Sequence, residues 1–401
     1  MTDRALEGIR ILEYCDMIAG PYCGKLLADL GAESIKIEQP PAGDRARRIG
    51  PFPDDLPHPE KSGLFLYVNT NKRSITLDPT LATGRRMFQA LAKDVDVLIE
   101  DQTPGRMDAL GLDYEKLAVV NPGLVVVSVT PFGQTGPYAQ YACRTLNLHH
   151  VSGHSTKFFI ARFEEPGKAP VPPGGYAGEY DSGLNGAIAA LAALFARMLT
   201  GEGQHADVSK QEALLGLERV DLCRFADGET IVGRIGMQVG GLMACKDGWV
   251  ILTMPQDHQW DGLVKAMGNP EWAQDEEFAT EMGRAERRDE IQPHVEQWAA
   301  ERTKDELYHL AQSYSVPLAP VRSTEEVFNW QQTRERGFFQ EVEHPVAGTF
   351  YYPTAGYKFS ETPWQAERPA PLLGEHNEEI YCGRLGYSHE ELARLRAEGV
   401  I

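Results

Sequence analysis

Short apolar runs alternate with amphipathic stretches along the first 130 residues of the chain. Ile9 to Tyr14 predicts a strand, Pro21 to Leu30 a helix ended by Gly31, and Ser34 to Glu38 a second strand. Ser74 to Leu77 predicts another strand, Met87 to Ala92 lies in a helix, and Val95 to Glu100 returns to strand. Leu124 to Val129 is a β-branched run of the kind carried by parallel strands buried on both faces. Such alternation predicts an α/β layer around a parallel sheet. Open sheets of this type bind ligands beyond the carboxyl ends of their strands. The residues after Tyr14, Glu38, Glu100 and Val129 are therefore the first places to look.

The pattern then changes. Glu164 to Gly175 is rich in Pro and Gly and reads as an exposed loop. The small and apolar run from Ala187 to Ala196 reads as a buried helix. A Gly-containing turn at Gly201 to Asp207 leads into a strand. Gly233, Gly236, Gly240 and Gly241 precede a hairpin expected around Lys246-Asp247-Gly248, and charged amphipathic helices run on to about Ser313. Residues 334–372 look like an irregular connecting arm, and Glu375 to Val400 carries a final helix. The division expected is a large α/β domain of residues 1–215, to which 330–401 return, and a smaller α+β domain of 216–329.

Composition narrows the partners. The chain has 401 residues, 42% of them hydrophobic, enough for two or three domains with sizeable cores. Its 58 acids against 39 bases give a net charge of −19. That argues against nucleic acid and anionic membrane as bulk partners, but a local basic pocket can still take a phosphate-bearing cofactor. The N-terminal residues lack a basic stretch followed by an apolar core, so no signal peptide is expected. The nearest approach to a membrane span, Gly186 to Ala196, is short and is followed by Arg197. Six cysteines without a CxxC pair suggest a reduced, cytoplasmic protein.

Candidate chemistry centres on the segment Gly174 to Gly183, which sets Glu179 and Asp181 just before the apolar run. A carboxylate there either caps a helix or, held rigidly and partly desolvated, serves as a nucleophile. Gly20-Pro21 is either an ordinary strand–helix turn or a helix start able to hold a phosphate. Asn71, Lys72 and Arg73 either grip phosphates or sit in a solvated turn. His149, His150 and His154 cluster, but with neither the spacing nor a carboxylate partner of a known metal site, so no metal is expected. Gly240-Gly241 either allows a backbone to approach a reacting carbonyl or makes a tight turn. No Walker sequence, G-x-G-x-x-G or G-x-S-x-G occurs.

Several segments together resemble the class III (CaiB/BaiF-type) CoA transferases, which include carnitine and formyl-CoA transferases and, more distantly, the α-methylacyl-CoA racemases. They are Ile18 to Pro21, Leu26 to Glu33, Ile35 to Glu38, Asn71 to Ser74, Phe132 to Pro137, Gly203 to Ser209, Val342 to Pro345 and Lys358 to Ser360. The resemblance implies a Rossmann-like large domain, a smaller domain and an interlocked, ring-like dimer. It also implies acyl-CoA:carboxylate CoA transfer through a covalent carboxylate–CoA thioester, with Met17, Ala19, Asn71, Lys72, Arg73 and Arg106 holding coenzyme A. Backbone N–H groups near Gly240 and Gly241 would steady the oxyanions.

Where the family carries the aspartate of D-x-x-[S/T]-G, this chain has Glu179, with Asp181 two residues later. Gln39, Asp101 and Ala109 stand where relatives often have Arg, Asn and Arg. Arg144 falls near the place of the racemases' catalytic His, which weighs against racemization. Two readings follow. The chain is a transferase with Glu179 or Asp181 as nucleophile, working as a homodimer. Alternatively it is a nucleophile-deficient structural subunit of a heteromer with a paralogous partner. Its other partners are an acyl-CoA and a carboxylic acid. His149, His150, Tyr176 and Tyr180 are candidates for substrate contact only by proximity.

Overall fold

A computed structural model describes residues 4–156, 174–218, 223, 239–254 and 256–401. The expectations for Gly233, Gly236 and most of the Pro- and Gly-rich segment before Gly175 lie outside the described residues. Two compact units are present. Among the described residues the first unit holds those up to 223 and after 336, and the second holds those from 239 to 336.

The first unit alternates strands and helices in this order: β1 (Arg10–Tyr14), α1 (Ala19–Ala28), β2 (Glu33–Glu38), α2 (Gly63–Val68), β3 (Lys72–Thr76), α3 (Ala82–Ala92) and β4 (Val97–Glu100). It continues with α4 (Arg106–Leu110), α5 (Tyr114–Val120), β5 (Val125–Thr130), α6 (Thr145–Val151), α7 (Ala177–Thr200), β6 (His205–Ser209) and α8 (Lys210–Leu215). The six strands are all parallel, in the order β3-β2-β1-β4-β5-β6. This is the doubly wound arrangement of dinucleotide-binding sheets. β4 and β5 are buried along their whole length, and their side chains feed two cores with a period of two. Leu12, Leu98 and Val126 pack on one face with Phe88 of α3, Leu110 and Leu117. Ile11, Val97, Ile99, Val127 and Val129 pack on the other with α1 and α7.

α1 begins two residues before the expected Pro21. Proline is still tolerated there, because the first-turn N–H it lacks has no intrahelical partner. α7 was expected as a buried helix over Ala187 to Ala196, but it runs 24 residues and buries only one side. Gly183 and Gly186 let it lie against α1: a Cβ on Gly183 would stand 2.5 Å from the Ala19 carbonyl oxygen, and one on Gly186 3.2 Å from the Cys23 sulfur. The other side leaves Leu184, Ile188, Leu191, Phe195, Met198 and Leu199 exposed. By length and composition α7 could cross a membrane, unlike the shorter run read from the sequence. Here it is packed on the parallel sheet.

Residues 334–372 are not wholly irregular. They contain an antiparallel hairpin, β10 (Phe339–His344) with β11 (Gly348–Pro353), after the second unit's three strands. Those are β7 (Gly241–Cys245), β8 (Gly248–Leu252) and β9 (Leu318–Pro320), antiparallel throughout. The hairpin expected at Lys246-Asp247-Gly248 is the β7–β8 turn. Amphipathic helices, among them Asp257–Ala266, Arg288–Ala300 and Lys304–Ser313, pack on this sheet through Trp260, Leu263, Val295 and Leu307. The single final helix expected over Glu375 to Val400 is two, Asn377–Tyr381 and His389–Ala397, parted by a turn with Gly386 at φ 77°.

The backbone groups of β3 on its outer edge are met by these last residues. The His376 N–H donates to the Ser74 carbonyl at 2.9 Å. Asn377 Oδ1 accepts the Thr76 N–H at 2.8 Å, and the Tyr381 hydroxyl donates to the Thr76 carbonyl at 2.7 Å. Val400 accepts the Asp78 N–H at 2.8 Å.

Candidate active site

β1 and β4 are neighbours in the sheet, yet the chain leaves them in opposite directions. α1 after β1 packs on one face, and α4 and α5 after β4 pack on the other. The fork leaves a crevice beyond their carboxyl ends, where open α/β sheets hold their ligands. A cavity of about 560 Å³ lies there, within the usual size of small-molecule sites. Its walls include Asp16, Met17 and Ile18 after β1, Asp101 and Thr103 after β4, Pro131 after β5, and Lys210 after β6. Arg45, residues 139–145 and Glu179 complete much of the wall.

Glu179 is the third residue of α7, Thr145 the first of α6, and Lys210 the first of α8. The Lys210 ammonium donates to Glu179 Oε2 at 2.7 Å, and the Thr145 hydroxyl donates to Oε1 at 3.1 Å. The ion pair is sheltered, with side-chain exposures of 15% for Lys210 and 13% for Glu179. The carboxylate is thus oriented at both oxygens. Asp181 lies two residues on, and residues two apart on a helix do not share a face. Asp181 does not line the cavity, and one of its oxygens is buried without a hydrogen-bond partner among the described residues. Burial pushes its carboxyl up from the usual range.

The cavity floor is acidic. Asp101 accepts the Asp16 N–H at 2.9 Å, and burial, with Asp16 and Glu100 nearby, pushes its carboxyl up to about 8. Burial likewise raises Glu100 to about 7. Arg45 is held by Asp16, which also accepts the Arg45 N–H at 2.7 Å. Met17 has φ 68°, a left-handed conformation unusual outside glycine, and its N–H donates to Asp16 and Asp44 at 2.9 Å each. Backbone outliers of this kind gather at functional sites.

Of the other candidates, Ala19 opens α1 beside the cavity, next to Ile18. Arg106 is exposed on α4 and does not line it. Lys72 is a correction. It lies in β3, not in a solvated turn, with 1% exposure. Its ammonium donates to Glu13 Oε2 at 2.7 Å, to the Pro21 carbonyl at 2.6 Å and to Asn69 Oδ1 at 3.0 Å. A cation enclosed in this way has no donor to offer a phosphate. Asn71 joins Asp29 (2.6 Å) to the backbone of Gln365, Glu367 and Arg368. Arg73 pairs with Glu33 and Glu379 at 2.9 and 2.8 Å. All three side chains therefore tie the fold together.

Gly240 and Gly241, in the second unit, have φ of 106° and 84°. The Gly240 N–H is taken by Gln292 Oε1 at 2.8 Å, so it is not a free oxyanion donor. Tyr180 packs against Tyr22 and Tyr67, and Tyr176 joins the same core; neither lines the cavity. His149 is buried against Gly178, and its ring is tilted 35° to that of His154, with centroids 5.6 Å apart. Among the described residues no three His, Cys, Asp or Glu side chains gather as metal ligands. Lys210, Thr145 and Arg45 were missed by sequence reasoning. For Lys210 a signal existed: it follows directly on the strand expected after the Gly201 turn, at a carboxyl end.

A family model described as CoA-transferase family III matches residues 6–377. The chain belongs to CoA-transferase family III. Its enzyme class is accordingly that of the CoA transferases. It is 32% identical to a formyl-CoA:oxalate CoA-transferase of Bradyrhizobium sp. (strain ORS 278), over 99% of this chain and 97% of that protein. It is also 32% identical to a protein of the same name from Streptomyces coelicolor, each covered fully. Among solved structures, a CAIB/BAIF family protein from Brucella suis matches with a TM-score of 0.82 and 30% identity, over 95% of this chain and 99% of that one. Rv3272 from M. tuberculosis matches with a TM-score of 0.82 and 26% identity, over 95% and 100%.

Proposed function

We propose that this chain is an acyl-CoA:carboxylate CoA transferase in its own right, with Glu179 as the nucleophile. The observation that carries the reading is the placement of Glu179. It alone of the two candidate acids lines the switch-point cavity, and it is held there at both oxygens. A Glu179 oxygen attacks the thioester carbonyl, forming a mixed anhydride and releasing CoA thiolate. The thiolate attacks the Glu179 carbonyl and frees the first acid as a carboxylate, leaving a Glu179–CoA thioester. The second acid's carboxylate attacks that carbonyl and regenerates the thiolate. The thiolate then takes the new acyl group and restores Glu179. Each step exchanges one anion for another, so no external proton is required, and one hard exchange becomes several easier ones.

The names of the relatives make formyl-CoA and oxalate the first pair to assay. The exposed apolar residues of α7, spaced three and four apart from Leu184 to Met198, support association with a second chain. An interlocked homodimer in the cytoplasm is the assembly we infer. Intact-mass spectrometry after incubation with a panel of acyl-CoAs, followed by peptide mapping, tests the function. The expected result is a CoA or acyl adduct on Glu179. No adduct with any donor, where an aspartate-bearing relative is labelled, transfers the chain to the structural-subunit reading.

A further inference from the structure

The charge on Glu179 is not constant through the reaction proposed above, and that has a consequence for Lys210. In the resting site the ammonium is satisfied by Glu179 Oε2 at 2.7 Å, in a partly buried position. Once Glu179 is an anhydride or thioester it is neutral, and the cation loses its counter-charge. An uncompensated charge in such a place is costly. The other titratable groups on the cavity wall do not relieve it. Arg45 is a cation held by Asp16, and Asp101, although the Lys210 charge reaches it, is kept protonated by burial and offers no anion. Arg144 adds a further positive charge at the exposed rim. The Thr145 hydroxyl, which donates to Oε1 in the resting site, is released in the same step.

We propose that Lys210, with Thr145, is the docking site for the incoming carboxylic acid, taking up the acid's carboxylate whenever Glu179 is acylated. This rests on Glu179 being the nucleophile. The site is thus closed to a free acid while Glu179 is ionised and opens when the covalent intermediate forms. A carboxylate bound by Lys210 lies beside the carbonyl it must attack, since that carbonyl is built from the atoms Lys210 has just left. When the acid is consumed and the acyl group departs on CoA, the regenerated Glu179 carboxylate recovers the ammonium.

The test separates loading from discharge. Wild type, Lys210→Met and Lys210→Arg are each loaded with acyl-CoA, and the Glu179–CoA thioester is isolated. Discharge is then followed with the isotopically labelled acid released during loading, which is an acceptor by reversibility, and with hydroxylamine, a neutral nucleophile. Lys210→Met should still load, though more slowly, because Glu179 loses one of the two groups that orient it. Its discharge by the acid should fall about 10- to 100-fold, the range of a lost hydrogen bond to a charged group, while discharge by hydroxylamine is unchanged. Lys210→Arg should keep most of the acid-driven rate. Equal slowing of both nucleophiles, no slowing of the acid, or loss of loading in both variants overturns the proposal. If wild type itself does not load, the assignment of Glu179 falls first.

Discussion

Replacing Lys72 by Met separates a structural role for this residue from a ligand-binding one. The ammonium makes three hydrogen bonds inside the core, to Glu13, the Pro21 carbonyl and Asn69. Glu13 is fully buried and is shared with Lys36 at 2.8 Å. Methionine fills much of the same space but leaves Glu13 with one cation in place of two, and takes a donor from the Pro21 carbonyl and the Asn69 amide oxygen. Breaking a buried ion pair from one side costs about 3–5 kcal/mol. The loss should appear in urea or guanidinium unfolding as a lower midpoint, read by tryptophan fluorescence. Lys72 sits behind the sheet's functional end and not in the cavity wall. CoA affinity of the folded variant, measured by calorimetry at a temperature where it is still native, should therefore stay within about threefold of wild type, less than 1 kcal/mol. The opposite pair of results would refute the reasoning: stability changed by less than 1 kcal/mol and CoA affinity down tenfold or more.

Glu179→Gln should abolish the mass adduct and, because it leaves the sheltered Lys210 ammonium without its counter-charge, should also lower the unfolding midpoint. Glu179→Asp, although it restores the residue usual in the family, should lower turnover about 100-fold, because a carboxyl withdrawn by roughly one ångström leaves both Lys210 and Thr145; activity at or above wild type would count against the geometry. Asp101 carries a proton in the fold up to about pH 8 but loses it near the ordinary carboxylate value when unfolded. Stability therefore falls as pH rises through that interval, and Asp101→Asn should gain on wild type by up to about 1.4 kcal/mol per pH unit between pH 5 and 7. A pH-independent difference in unfolding midpoints would remove that assignment. Gly183→Ala should cost about 1–3 kcal/mol and reduce turnover, since its Cβ would stand 2.5 Å from the Ala19 carbonyl and push α7 from α1; an unchanged thermal midpoint would contradict the close approach.

The parallel sheet was legible because strands buried on both faces carry continuous apolar runs, as Val125 to Val127 do. Glu179 was legible because a carboxylate at the start of an apolar helix is a local pattern. What failed was long-range. Lys72 sits in a polar string that reads like a loop, and only the packing of Glu13 against it turns that string into a buried strand. Lys36, Asp29 and Asn71, all in segments that carry the family resemblance, are likewise buried or bound in ion pairs and clamps. Motif membership alone therefore did not separate framework from site. The partnership of Glu179 and Lys210 spans 31 residues and two helices, a distance that no periodicity encodes. The hairpin of 339–353 escaped because consecutive aromatics, Phe350 and Tyr351, are exposed on both faces of β11, which removes the alternation expected of a half-buried strand.

The covering of β3 by His376, Asn377 and Tyr381 bears on how the chain is made. Those partners follow β3 by about 300 residues. At ribosomal speeds of ~5–20 residues per second, the outer edge of the nascent sheet stays open for roughly 15–60 seconds. A strand left in that state is a template for pairing with another copy. Production of this protein should accordingly be sensitive to chaperone supply during translation, and shortening the chain before residue 376 should yield inclusion bodies although every residue of the cavity wall is present.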